Sequence, residues 1–228
     1  MPYKGKVIMK GNLSYAICLI EERTMDPRFK HPFTCIIAGP TGSGKTVWVS
    51  KFLKEIRQMM IPVPEEIVWC YGEWQSQYSE MTGVTFVEGL PKTDEWDTTK
   101  RRLLIIDDLM SETDATVTRL FTKGSHHRNT SVMYIVQNLF GKNKEHRTIS
   151  LNSHYLVVFK NPRDVSQISH LATQMYPGKK KFLQESFKDA TSRPHGYLLI
   201  DLRQDTPDHL RLRSNVIPPE LQVVYTQK

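Results

Sequence analysis

An α/β fold, with a largely parallel central sheet sandwiched by helices, is the architecture this sequence predicts, and three observations predict it. Mostly apolar runs of strand length recur along the chain: Phe33 to Ala38, Glu66 to Gly72, Leu103 to Ile106, Ser131 to Asn138, Tyr155 to Phe159 and Tyr197 to Asp201. The segments between them are polar and helix-compatible, and one glycine-rich loop sits between an apolar run and an amphipathic one. Near-continuous apolar character, in place of strict alternation, is what a strand covered on both faces requires, and parallel sheets are built of such strands.

Taken in order, residues 1–32 carry weak strand patterns at Lys6 to Met9 and Tyr15 to Ile20, then a polar bend at Met25-Asp26-Pro27-Arg28. They read as an N-terminal extension packed on the core. Residues 33–203 form that core, and 204–228 a C-terminal tail. Cys35, Ile36, Ile37 and Ala38 predict a strand buried on both faces. After the glycine-rich loop, Val47, Val49, Phe52, Leu53, Ile56 and Met60 fall near helical spacing, which predicts a helix ended by Pro62 and Pro64. The second strand, Glu66 to Tyr71, stops at Gly72, and a shorter run at Val84 to Val87 is a further candidate. No internal repeat or low-complexity tract interrupts this pattern.

With 228 residues, 39% of them hydrophobic and 10% aromatic, the chain can bury one good α/β core, and one domain is the expectation. No apolar run approaches the roughly 20 residues that span a bilayer, and the start lacks the apolar centre of a signal peptide, so a soluble intracellular protein without a membrane partner is expected. Cys18, Cys35 and Cys70 are odd in number and form no Cys-x-x-Cys pair, which reads as reduced core residues. The histidines show no pairing with cysteine or carboxylate that would hold a structural metal. A net charge of +7 fits a polyanionic partner, although charge alone does not choose nucleic acid.

The loop is Gly39-Pro40-Thr41-Gly42-Ser43-Gly44-Lys45-Thr46, a complete phosphate-binding loop. Its glycines allow positive φ and close backbone approach, so that successive N–H groups point at phosphate oxygens. Lys45 reaches the β and γ phosphates, Thr46 offers its hydroxyl to Mg²⁺, and the following helix turns its positive end to the bound charge. ATP and Mg²⁺ are the expected ligands.

Four aliphatic residues followed by Asp107-Asp108 place carboxylates at the carboxyl end of a buried strand, where α/β sheets bind ligands. Asp107 is the candidate for orienting Mg²⁺ through water and Asp108 for polarising the attacking water. Glu73, after the second strand, competes for the role of base. Gln137, at the end of the next strand, is the candidate to bond both the γ-phosphate and the water. Arg128, in the segment Ser125-His126-His127-Arg128-Asn129, would reach a neighbouring subunit's nucleotide. Arg119 is its rival, and a surface or DNA-phosphate role for Arg128 stays open.

These motifs together make the chain resemble the FtsK/HerA-type ATPases, most closely the genome-packaging ATPases of large DNA viruses, virophages and Polinton/Maverick-like elements. The likeness covers about residues 30–202 and rests on the loop, on Leu104-Ile105-Ile106-Asp107-Asp108-Leu109, and on Leu120 to Asn129 running into Tyr134-Ile135-Val136-Gln137-Asn138. It implies a P-loop NTPase core of the RecA-like (ASCE) kind, with the Gln137 strand between the phosphate-loop strand and the Asp107 strand. It also implies an ATPase stimulated by DNA, a homo-oligomeric ring of five or six subunits with Arg128 as the trans-acting finger, and double-stranded DNA moved through the pore. A capsid or portal protein would be a partner, and a viral chain would act in the host nucleus or cytoplasm where virions assemble. Many members have glutamate where this chain has Asp108, which keeps Glu73 in play.

Lys142, Lys144 and Arg147, with His146 beside them, are the candidate DNA contacts, and Lys179-Lys180-Lys181 is a second cluster. Trp69, Tyr71 and Trp74 read as core packing and not as a stacking platform. Among other classes, a GTPase would be expected to show Asn-Lys-x-Asp, but Asn143-Lys144-Glu145-His146 lacks the aspartate. A helicase or remodelling motor, a small-molecule kinase and a non-motor nucleotide-binding scaffold remain alternatives. No nuclease domain is evident, so DNA cleavage is not expected.

Overall fold

The structure is a computed structural model, and it describes residues 7–8, 15–19, 26–92, 96–107, 109, 114–124, 129–141 and 144–227. In chain order the strands are β1 (Val7–Ile8), β2 (Tyr15–Leu19), β3 (Phe29–Lys30), β4 (Thr34–Ala38), β5 (Met60–Ile61), β6 (Glu66–Tyr71), β7 (Thr85–Glu88), β8 (Arg102–Asp107), β9 (Thr130–Val136), β10 (Tyr155–Phe159), β11 (Tyr197–Asp201), β12 (Leu212–Ser214) and β13 (Val223–Gln227). The α-helices are α1 (Lys45–Lys54), α2 (Ile56–Met59), α3 (Asp114–Arg119), α4 (Lys144–Leu151), α5 (Ser166–Met175) and α6 (Lys180–Ala190). The described residues group into two compact units, one drawn from Met1–Pro27, Gly39–Gly44 and Tyr155–Lys228, the other from Arg28–Ala38 and Lys45–His154. No helix among the described residues is long and apolar enough to cross a membrane.

In the unit built from Arg28–Ala38 and Lys45–His154, the sheet runs β4-β9-β8-β6-β7, and every pair in it is parallel. Every residue of β4, β8 and β9 is buried, the apolar centres as a strand covered on both faces requires and the polar ends Thr34, Arg102, Asp107, Thr130 and Ser131 with them. The strand after Asn129 therefore lies between the phosphate-loop strand and the Asp107 strand, the order the sequence resemblance implies. α1 buries Trp48, Val49 and Phe52. Phe52 and Trp48 stack with ring centroids 5.6 Å apart, and Phe29 meets Phe52 edge-on at 5.1 Å. The helix expected to run to Met60 instead breaks at Glu55 and ends at Met59. Met60 and Ile61 leave it to pair in parallel with Phe29 and Lys30, and the strand ladder replaces the helical bonds that Pro62 would in any case interrupt.

The amino-terminal edge of this sheet is tied by polar side chains. The His31 ring contacts Ser131 Oγ at 2.6 Å through Nδ1 and Asn129 Oδ1 at 2.9 Å through Nε2. Thr34 donates its hydroxyl to the Asn152 carbonyl at 2.7 Å, and its N–H to His154 Nδ1 at 3.0 Å. Burial holds the His31 imidazole below the ordinary histidine value, against the bond to Asn129, which pulls the other way. Cys35 and Cys70 are buried free thiols, and burial pushes Cys70 up to about 12. The Cys18 side chain lies outside the description.

In the other unit the strands run β1-β2-β13-β12-β11-β10, all antiparallel. Here the sequence reading of parallel strands does not extend: Phe159 pairs with Tyr197 and Tyr155 with Asp201. The connection between β10 and β11 carries two helices, α5 and α6, and so begins and ends at one edge of the sheet, which makes the next strand antiparallel. The stretch 204–228 contributes β12 and β13. Arg213 and Asp201 form an ion pair at 3.0 Å, with side chains only 3% and 7% exposed, and Arg213 also donates to the Pro27 carbonyl at 2.6 Å. Such a pair is costly to break singly, because the survivor is left charged and buried.

Candidate nucleotide site

The loop from Gly39 to Gly44 is closed by Ser43 N–H donating to the Pro40 carbonyl at 3.1 Å. Gly42 and Gly44 have φ of +76° and +99°, backbone that L side chains rarely adopt. A Cβ on Gly42 would meet nothing within 4 Å, whereas one on Gly44 would lie 3.2 Å from the His195 ring. His195, itself at φ 59°, sets Nδ1 3.2 Å from the Ser43 carbonyl. A carbonyl only accepts, so Nδ1 carries the proton in that contact. Sequence reading missed His195, which stands 152 residues from Ser43 with no motif around it.

Lys45 and Thr46 open α1, whose first turn contains no acidic residue to offset its positive end. Both side chains are half-buried.

The carboxyl-terminal edge of the parallel sheet gathers several candidates. Asp107, the last residue of β8, is 4% exposed and accepts a hydrogen bond from the Tyr78 hydroxyl on Oδ2 at 2.9 Å. Asp107 pairs with Ile135 and Ala38 with Val136, so Gln137, the residue after β9, follows at that edge, two residues beyond the position opposite Asp107. Gln137 is exposed. Glu73, also exposed, follows β6 at the same edge, where Tyr71 pairs with Asp107. Asp108, Arg128 and Lys142 lie outside the described residues.

Arg119, at the end of α3, is exposed and donates to Thr116 Oγ1 at 3.3 Å. Lys144 and Arg147 are exposed on α4 three residues apart, the spacing that puts two side chains on one helix face. Trp69 is fully buried, in a cluster with Tyr71, Trp74, Tyr78 and Phe86, of which Trp74 is 54% exposed. Tyr78, in the short 3-10 turn Ser76–Glu80, is the second residue that sequence reading missed, because nothing local marks its bond to a carboxylate 29 residues away.

The residues present fit a nucleoside triphosphate and a hard divalent cation. Ser43 Oγ is buried without a hydrogen-bond partner, as expected of a hydroxyl in a loop that closes on an anion. The open space beside Gly42 leaves room for one. Thr46 and Asp107 are oxygen donors of the type Mg²⁺ takes.

No family model and no curated protein matches the chain. Among solved structures it is similar to the genome packaging NTPase of Sulfolobus turreted icosahedral virus 2 in complex with ATP-γS, at 15% identity and a TM-score of 0.47, over 80% of this chain and 96% of that one. It is also similar to the cytoplasmic domain of the Thermomonospora curvata type VII secretion ATPase EccC, at 10% identity and 0.48, over 85% of this chain and 25% of that one. A KaiC-like protein of Pyrococcus horikoshii matches at 12% identity and 0.45, over 86% and 91% of the two chains. Likenesses at such identities concern the fold. The fold itself, an α/β P-loop fold with an added strand between the loop strand and the acidic strand, stands on this chain's own motif and strand order.

Proposed function

We propose that the protein hydrolyses ATP to move double-stranded DNA, as the motor that loads a viral or transposon-like genome into a capsid. The observation that supports the hydrolytic part is the position of β9, paired in parallel with both β4 and β8, with Gln137 following it at the edge where β8 ends in Asp107. The motor part is supported by the resemblance of the motifs to packaging ATPases and by a net charge of +7.

When bound, Mg-ATP supplies the γ-phosphoryl group and a cation that neutralises its charge. Backbone N–H groups of the loop hold the phosphates, and Lys45 adds a cation to them. Thr46 and Asp107 would hold the cation. Asp108, or Glu73 in its place, accepts the proton of the attacking water, and Gln137 fixes that water's orientation. Arg128, or Arg119 as its rival, stabilises developing charge from a neighbouring subunit, which makes a homo-oligomeric ring the working form. Lys142, Lys144 and Arg147 contact DNA phosphates. A capsid or portal protein is the further partner.

The test is steady-state ATP hydrolysis over a protein concentration series, with and without linear double-stranded DNA. Specific activity should rise with concentration and again with DNA, and Lys45→Ala should lower turnover by roughly 100-fold or more. Normal turnover in Lys45→Ala rejects the site. Flat, DNA-indifferent activity rejects the motor and leaves a hydrolase of another kind.

A further inference from the structure

We infer that Tyr78 is a positioning residue for the metal-side carboxylate, holding Asp107 in the orientation in which it meets the nucleotide's cation. The inference rests on the reading of Asp107 as an oxygen donor to that cation. Tyr78 is 1% exposed, and its hydroxyl donates to Asp107 Oδ2 at 2.9 Å. An O–H donor on an ionised oxygen makes a charge-assisted bond, stronger and more directional than a neutral one.

The ring that carries the hydroxyl is itself fixed. Phe86 stacks on it at 5.2 Å and 23°, while Trp69, Trp74 and Tyr71 stand 5.3, 5.5 and 5.9 Å away. A tyrosine has only two torsions, and packing of this kind removes the freedom of both. A carboxylate offers about four acceptor directions on two oxygens. With one direction on Oδ2 held by a rigid donor, the plane of the carboxylate is set before any ligand arrives. Outer partners of this sort tune metal affinity by roughly 10 to 100-fold when removed.

Tyr78→Phe removes the donor and keeps the ring. The full chain would be titrated with Mg²⁺ in the presence of a fluorescent N-methylanthraniloyl ATP, alongside Asp107→Asn. Both variants should raise the Mg²⁺ half-saturation, Tyr78→Phe by about tenfold. For Tyr78→Phe, nucleotide affinity in EDTA should stay within about twofold of the parent, a split that a merely structural loss would not give. An unchanged half-saturation in Tyr78→Phe, with a raised one in Asp107→Asn, overturns the role of Tyr78 alone. Equal losses with and without metal in Tyr78→Phe do the same. An unchanged half-saturation in Asp107→Asn overturns the reading of Asp107 and this inference with it. Should Tyr78→Phe not fold, Phe86→Leu carries the test: it loosens the stacked ring and keeps the hydroxyl, so a smaller shift in the same direction is expected and no shift overturns the inference.

Discussion

His31 is bonded at both ring nitrogens, to Ser131 and Asn129, at the amino-terminal edge of the parallel sheet. Burial, with a smaller push from Arg101, holds its pKa below the 6.5 of an ordinary histidine. Between those two values the unfolded chain takes up a proton that the folded chain refuses. The stability His31 contributes is therefore complete above pH 6.5 and is lost as pH falls through the depressed value. Urea denaturation of the parent and of His31→Gln should show the parent losing stability faster as pH is lowered below 6.5. Parallel losses in the two proteins would reject this role. Residues differ in how far the sequence reveals them. The glycines, Lys45 and Thr46 are legible because their chemistry demands a fixed local spacing. His195 and Tyr78 act across 152 and 29 residues and leave no periodic trace.

The parallel strands were legible as elements because burial on both faces writes an unbroken apolar run. Leu104, fully buried in β8 between β9 and β6, is the position where that argument is most exposed to test. Leu104→Ala should cost about 2–5 kcal/mol by urea denaturation, from lost burial plus the cavity left behind. Thr85→Ala, exposed on the edge strand β7, should stay within about 0.5 kcal/mol. Other elements were less legible for physical reasons. β3 and β5 are two residues each and exist only through their mutual pairing. β12 and β13 mix polar and apolar residues, and Arg213 in β12 is buried only because Asp201 neutralises it. The end of α1 was misjudged because helical spacing continued past the point where a neighbouring strand captured the chain.

For the molecule as a whole, the sequence made the α/β fold class readable, while the antiparallel strands of the other unit were not, because direction depends on how connections return and not on composition. Net charge is a property at this scale too. If Lys142, Lys144 and Arg147 neutralise three phosphates, log K for duplex DNA should fall with log salt at a slope of about −2.7 per subunit. The double substitution Lys144→Ala with Arg147→Ala should reduce that slope by about 1.8, whatever the DNA sequence. Affinity that is constant between roughly 50 and 200 mM salt would rule out such contacts.

The cluster around Tyr78 also has an optical consequence. It contains two indoles in unlike surroundings, Trp69 fully enclosed and Trp74 about half in water, and both lie against the phenol that holds Asp107. Enclosed indoles emit at shorter wavelengths than wetted ones, so the chain carries two native chromophores of different colour within one ring's width of a candidate cation ligand. With Trp48 and Trp96, the other two tryptophans of the chain, replaced by phenylalanine, their emission ratio offers a label-free signal for events at that carboxylate.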